Sequence, residues 1–102
     1  MIDKLYNKPS ISFLYNGKAN LSKACKPYIG NYRYFKFQYV DSSKLLRLLL
    51  FKDSKDNYCI SYNETSGYFT ISSAKFLNSL NLDLSGKKFK VRFKNNSLEV
   101  QL

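Results

Sequence analysis

The second half of this 102-residue chain repeats the plan of the first, and that echo limits the folds open to it. The plan is clearest in residues 67–102, GYFTISSAKFLNSLNLDLSGKKFKVRFKNNSLEVQL. Tyr68, Phe69, Thr70 and Ile71 are β-branched or aromatic, as strands prefer. Ser72 or Ser73 can cap a helix, because a serine hydroxyl accepts an otherwise unpaired backbone N–H. Ala74, Leu77 and Leu80 recur at helical spacing, with Phe76 beside them. After Gly86 the residues Lys87 to Lys94 alternate strictly. Strand side chains point to opposite faces with period two. Phe89, Val91 and Phe93 are therefore expected on one face, and Lys88, Lys90, Arg92 and Lys94 on the other. Asn95-Asn96 is hairpin chemistry, since Asn tolerates positive φ. Leu98, Val100 and Leu102 then alternate with Glu99 and Gln101 as a closing strand.

The first half reads the same way. Residues 1–9 form a lead-in ending at Pro9, which disfavours helix at Lys8. Ile11, Phe13 and Tyr15 alternate as a strand, and Asn16-Gly17 is a strong hairpin signal. Lys18 to Leu21 returns as a strand. Ser22 can cap a short helix through Ala24 and Cys25, which Pro27 limits. Phe35, Phe37 and Tyr39 share one face of a strand from Tyr34 to Val40, with Lys36 and Gln38 on the other. Asp41-Ser42-Ser43 is a turn. Leu45 to Phe51 fits helix or strand by pattern; the echo selects a strand covered on both faces. Residues 53–57 turn the chain between halves, and Tyr58, Ile60 and Tyr62 alternate again.

Laid over one another, the halves match at near-constant offsets. Ile11, Phe13 and Tyr15 match Tyr58, Ile60 and Tyr62 at an offset of 47. Gly17, Leu21, Ser22 and Ala24 match Gly67, Ile71, Ser72 and Ala74 at 50. Phe35, Phe37 and Tyr39 match Phe89, Val91 and Phe93 at 54. Leu46, Leu48 and Leu50 match Leu98, Val100 and Leu102 at 52. The expected fold is mainly β (α+β), one domain over 1–102. It is a small barrel of two pseudo-symmetric β-β-α-β-β repeats, about 10–52 and 57–102, with short helices near 22–28 and 72–80.

Charge points to the kind of partner. Seventeen basic residues oppose seven acidic ones, a formal net of +10. Residues 1–51 hold nine basic and two acidic side chains, so the excess is uneven. Such an excess suits a polyanion, nucleic acid before a membrane surface or an acidic protein. A solvated lysine face, or an AT-rich coding bias, gives the same composition. No apolar run approaches the ~20 residues of a membrane span. The N-terminal MIDKLYNKPS lacks the apolar core of a signal peptide, so a cytoplasmic protein is expected, or a virion-associated one if phage-encoded. Cys25 and Cys59 form no CxxC pair, and reduced, buried thiols are expected, with one disulfide the alternative.

The half-unit G-x-x-x-[LI]-S-[KS]-A, an apolar helix, a glycine, an alternating strand and a closing hairpin resembles the AbrB-like (swapped-hairpin) family. The resemblance implies two units intertwined in one barrel that binds DNA through a basic surface, here within one chain. Where that family has a helix-start proline, this chain has Ser22 and Ser72. Where it has arginines, the first half carries Lys18, Lys23 and Lys26, and the second keeps Lys75 on its helix. Pro27 falls where the first helix should run.

The chain lacks the parts of an enzyme. It has no histidine, so the commonest general base and zinc ligand is missing. The acids fall mostly in expected turns and none pair. Cys25 beside Lys26 is a weak nucleophile candidate against a buried structural thiol. No cofactor is implied. Lys88, Lys90, Arg92 and Lys94 at alternate strand positions, about 6.6 Å apart, form a comb suited to phosphates or simply a solvated edge. With Lys18, Lys23, Lys26, Arg33, Lys36 and Lys75 they are the candidate nucleic-acid-binding residues. Tyr32 and Tyr34 flank Arg33 and are expected as half-buried sheet residues, with stacking on bases the alternative. The expectation is a monomeric or homodimeric DNA-binding regulator contacting phosphates. The alternatives are a phage-encoded accessory protein that meets an acidic protein partner as inhibitor or capsid component, and a single-strand or RNA binder.

Overall fold

A computed structural model describes residues 8–53 and 58–102. The lead-in before Lys8 and most of the turn between the halves lie outside the described residues. The chain is mainly β, with two antiparallel sheets and short helical segments. Its strands are β1 (Ser10–Phe13), β2 (Lys18–Leu21), β3 (Tyr34–Val40), β4 (Leu45–Phe51), β5 (Tyr58–Cys59), β6 (Ser61–Tyr62), β7 (Phe69–Ser72), β8 (Lys88–Lys90), β9 (Arg92–Lys94) and β10 (Ser97–Gln101). Sheet A has the order β6-β7-β2-β1-β8, and sheet B the order β5-β3-β4-β10-β9. Among the described residues the ladders make two five-stranded sheets, where one closed barrel was expected. Ile11, Leu21 and Ile71 of sheet A, with Phe35, Leu46 and Leu98 of sheet B, are each buried to within 1% and belong to one core.

Two long strands each break at a single residue. Ile60 separates β5 from β6, and Val91 separates β8 from β9. Both residues are buried, and the strand pieces on either side join different sheets. The expected faces therefore do not persist. Tyr58 and Tyr62 are exposed while Ile60 is not, and Phe93 is 40% exposed while Val91 is buried. Phe93 instead stacks on Tyr28 with ring centroids 4.9 Å apart.

Turn chemistry works as read at several places. Asn16 Oδ1 accepts from Lys18 N at 3.1 Å, and Gly17 takes φ +84°. Tyr15 belongs to this turn rather than to β1, and is 86% exposed. Asn95 has φ +55° between β9 and β10. Asp83 accepts from Ser85 N at 3.1 Å, and that bond holds its carboxyl below its usual range. β4 is a strand: all seven of its residues pair with β3, and Leu45 to Leu49 also pair with β10.

The helices differ in detail. A 3-10 turn (Lys23–Cys25) leads into α1 (Lys26–Ile29). Pro27 sits in the first turn of α1, where a missing N–H costs nothing, so the segment runs past it. α2 spans Ala74–Ser79. Ser22 and Ser73 precede these segments but their hydroxyls do not cap them. Ser22 Oγ accepts from Ser10 N at 3.0 Å, and Ser73 Oγ donates to Gly17 O at 3.3 Å. Tertiary hydrogen bonds thus take the place of capping.

Each hairpin glycine meets the helical segment of the other half. A Cβ on Gly17 would come within 2.9 Å of Ala74 Cβ at the start of α2. A Cβ on Gly67 would come within 2.9 Å of Lys23 Cγ. On the outward face of sheet B, Gln38, Arg47, Glu99 and Arg92 form one cross-strand row. Arg47 Nε donates to Glu99 Oε2 at 3.0 Å, and Arg47 Nη1 donates to Gln38 Oε1 at 3.3 Å.

Candidate nucleic-acid interface

The two sheets present different outward faces. In β1, β2 and β7 the buried residues Ile11, Phe13, Ala19, Leu21, Phe69 and Ile71 force the intervening side chains outward by the period-two rule. Those side chains are Ser10, Ser12, Lys18, Asn20, Thr70 and Ser72. The ladders align them with their neighbours: Lys88, Ser12, Asn20, Thr70 and Ser61 stand in one register row across all five strands. At the ordinary strand spacing the row is about 19 Å long. Lys90 pairs with Ser10, and Lys18 with Ser72, in flanking rows. No strand of sheet A carries an acidic residue.

Asn20 and Thr70 meet at the centre, the Thr70 hydroxyl donating to Asn20 Oδ1 at 3.1 Å. A hollow opens on each side. The larger, about 620 Å³, is lined by Ser10, Ser12, Asn20 and Ser22, with Lys8, Lys23 and Lys88 among its walls and Tyr68 beside them. The other, about 580 Å³, holds Lys18, Thr70, Ser61, Tyr62 and Asn63, and its acid is Glu64. The cations of the first hollow therefore face no carboxylate of their own lining.

The ten expected contact residues divide. Lys18, Lys23, Lys88 and Lys90 belong to this face or its hollows. Lys26 lies at its β6 edge, where Nζ donates to Tyr62 Oη at 3.3 Å and stands 5.2 Å from the ring centroid. Lys36, Arg92 and Lys94 are on sheet B, Arg33 is in the approach to β3, and Lys75 is on α2. The comb from Lys88 to Lys94 is corrected: the break at Val91 sends its first two cations to sheet A and its last two to sheet B. There Arg92 stands opposite Glu99 in the β9–β10 ladder. Tyr32 and Tyr34 are both half-buried. Tyr32 Oη donates to Asn96 Oδ1 at 2.9 Å, and Tyr34 lies half-buried opposite Phe51 and Cys59.

Lys8, Ser10, Ser12, Asn20, Ser22 and Tyr68 were missed. Ser10 and Ser12 do alternate with Ile11 and Phe13, which was the available signal. They read as filler until β8 and β2 are known to flank them.

Both cysteines are free, and Cys59 is exposed where a buried thiol was expected. Cys25 is fully buried, and burial raises its thiol pKa above the ordinary value, against weaker lowering by its hydrogen bonds with Ser22 and with the Ser10 carbonyl, to which the thiol donates. A raised pKa and a closed site both suppress thiolate chemistry. A thiol-specific reagent at neutral pH is expected to label exposed Cys59 roughly a hundredfold faster than Cys25, whose labelling awaits opening of the fold. Equal rates in the folded protein would contradict the packing. Among the described residues no three His, Cys, Asp or Glu side chains cluster as metal ligands, and no helix is long and apolar enough to cross a membrane. No protein family, curated protein or solved structure matches the chain.

Proposed function

We propose that this chain is an internally duplicated, AbrB-like swapped-hairpin protein that binds nucleic acid through the outward face of sheet A. The acid-free polar row edged by lysines carries the functional reading. Small hydroxyl and amide side chains let a polyanion approach the sheet closely, and lysines on both sides supply phosphate contacts. The 19 Å row compares with the footprint of a few nucleotides. Strand-borne lysines position a phosphate backbone more than they read bases, so modest sequence specificity is expected.

The duplication draws support from register. Offsets of 47 and 54 carry the pair Ile11–Phe89 onto Tyr58–Phe35, and Ser12–Lys88 onto Cys59–Tyr34; both are ladder pairs. Offsets of 54 and 52 carry Gln38–Arg47 onto Arg92–Glu99. An offset of 52 turns the β4–β10 ladder onto itself about Arg47–Glu99, and 50 turns β2–β7 about Asn20–Thr70. The β6–β7 ladder departs from the scheme by two residues, next to the break at Ile60. The contacts of Gly17 and Gly67 follow the same symmetry to within one residue, Gly67 meeting Lys23 where the offset of 50 points to Ala24. Strands that pass from sheet to sheet at Ile60 and Val91 favour the barrel description.

Random-sequence duplex and single-stranded DNA, titrated across a salt series with light scattering to fix the mass, test the reading. Binding that weakens steeply with salt is expected, the slope following the number of phosphates neutralised. Lys23→Glu with Lys88→Glu should lower affinity by about tenfold or more and flatten the slope by about 2. Lys36→Glu with Lys75→Glu, away from sheet A, should change it far less. No binding to either DNA probe or to a single-stranded RNA at low salt, where screening is weakest, would sink the reading. It would leave the accessory-protein alternative, for which the half-buried outward Leu45, Leu49 and Phe51 of β4 are the pertinent observation.

A further inference from the structure

The larger hollow on sheet A has a shape and chemistry that the phosphate contacts leave unused. We infer that it accepts an unpaired nucleotide, so that the protein prefers single-stranded nucleic acid to duplex; this rests on the nucleic-acid reading above. At about 620 Å³ the hollow is of the size that holds one small ligand. Duplex readers insert a helix or two-stranded ribbon into a major groove about 12 Å wide. Here α1 has four residues and α2 six, and the lysines wall a depression instead of crowning a ridge.

The lining suits a splayed base. The side-chain hydroxyls of Ser10 and Ser12 make no hydrogen bond to another described residue, and Asn20 has its amide NH₂ left after its oxygen accepts from Thr70. Unpaired bases are recognised by such donors and acceptors on their edges, with an aromatic ring on their faces. Tyr68 supplies the ring. It lines the hollow, is 44% exposed and stacks on no aromatic ring among the described residues. Its neighbour Gly67 packs on the Lys23 side chain, which places a cation beside the ring for the adjoining phosphate. Stacking on one aromatic ring tolerates any base, so the preference is for strandedness over sequence.

The test uses fluorescence anisotropy with the full chain and three labelled probes of about 15 nucleotides, a length within one module's site size: oligo-dT, oligo-rU and a mixed-sequence duplex. Single strands are expected to bind at least about tenfold tighter than duplex. Tyr68→Ala should lower single-strand affinity about tenfold or more, as loss of one stacked base does, and leave duplex affinity unchanged. Tyr15→Ala, an exposed ring at the β1–β2 turn, is the control and should change neither. Tight binding of oligo-dT alone, of oligo-rU alone or of both upholds the inference and names the sugar. Duplex binding equal to or tighter than single-strand binding, or an indifferent Tyr68→Ala, overturns it while the nucleic-acid reading stands. Failure of all three probes to bind at low salt overturns both.

Discussion

Gly17→Ala is expected to destabilise the chain by about 2–5 kcal/mol, from strain at positive φ and overpacking together. Gly17 has φ +84°, and an added Cβ would lie 2.9 Å from Ala74 Cβ. Ala74 cannot swing away, because its Cβ is fixed to the backbone at the start of α2. That backbone is itself tied to the hairpin: Ser73 N and Ala74 N both donate to Gly17 O at 3.0 Å. Relief requires moving the hairpin off the helix. Gly67→Ala makes the comparison. Its φ of +78° carries similar strain, but the atoms in its way belong to the flexible Lys23 side chain. It should cost about 1–3 kcal/mol, the strain alone, while displacing Lys23 from the hollow. Chemical denaturation of the two variants decides the matter. Equal losses would show that the Gly17 contact relaxes freely, and the interlock between halves would then be looser than its geometry implies.

Glu99→Arg should cost about 2–4 kcal/mol, by removing the partner of a largely buried pair and setting like charges across the ladder. Glu99 is 8% exposed in its side chain and Arg47 34%, which keeps the figure below that of a fully buried pair. The substitution places three arginines in one row, at positions 47, 99 and 92. Glu99→Gln removes only the charge and should cost less, since Arg47 still reaches Gln38. Arg47→Glu combined with Glu99→Arg restores one opposed pair and should recover at least half of the loss. A double-mutant cycle by urea denaturation measures the coupling. A coupling near zero would reduce the ion pair to an incidental surface contact. The position matters for the proposed duplication. Positions 47 and 99 correspond under the offset that maps β4 on β10, so an exact repeat would set identical charges opposite one another. Opposite charges favour pairing between the two unlike halves of the chain.

The charge reversals at Lys23 and Lys88 and the strandedness test read function directly, whereas these substitutions read the frame that holds the face. A loss at Gly67 alone would join the two, because that glycine governs both backbone strain and the place of one cation.

The sequence by itself determined the features that depend on neighbours along the chain. Asn16-Gly17 and Asn95-Asn96 turn because short polar and glycine residues accept positive φ. β10 forms because Leu98 and Val100 alternate with Glu99 and Gln101, and the echo chose strand over helix for the near-continuous apolar run of β4. Lysine excess was legible as a sign of charge, without a place for it. Only the tertiary structure decided the rest. Alternation runs unbroken through Ile60 and Val91, so period two could not reveal that each strand changes sheet there. That break scattered a comb of four cations that looked continuous. Pro27 looked like a helix stop, but its place in a first turn depends on where packing starts the helix. Ser10, Ser12, Asn20 and Thr70 lie in three separate stretches of chain, and pairing between β1, β2 and β7 sets them side by side. Their shared face exists only through those ladders, because a strand encodes which side chains face outward and leaves its neighbours to the fold.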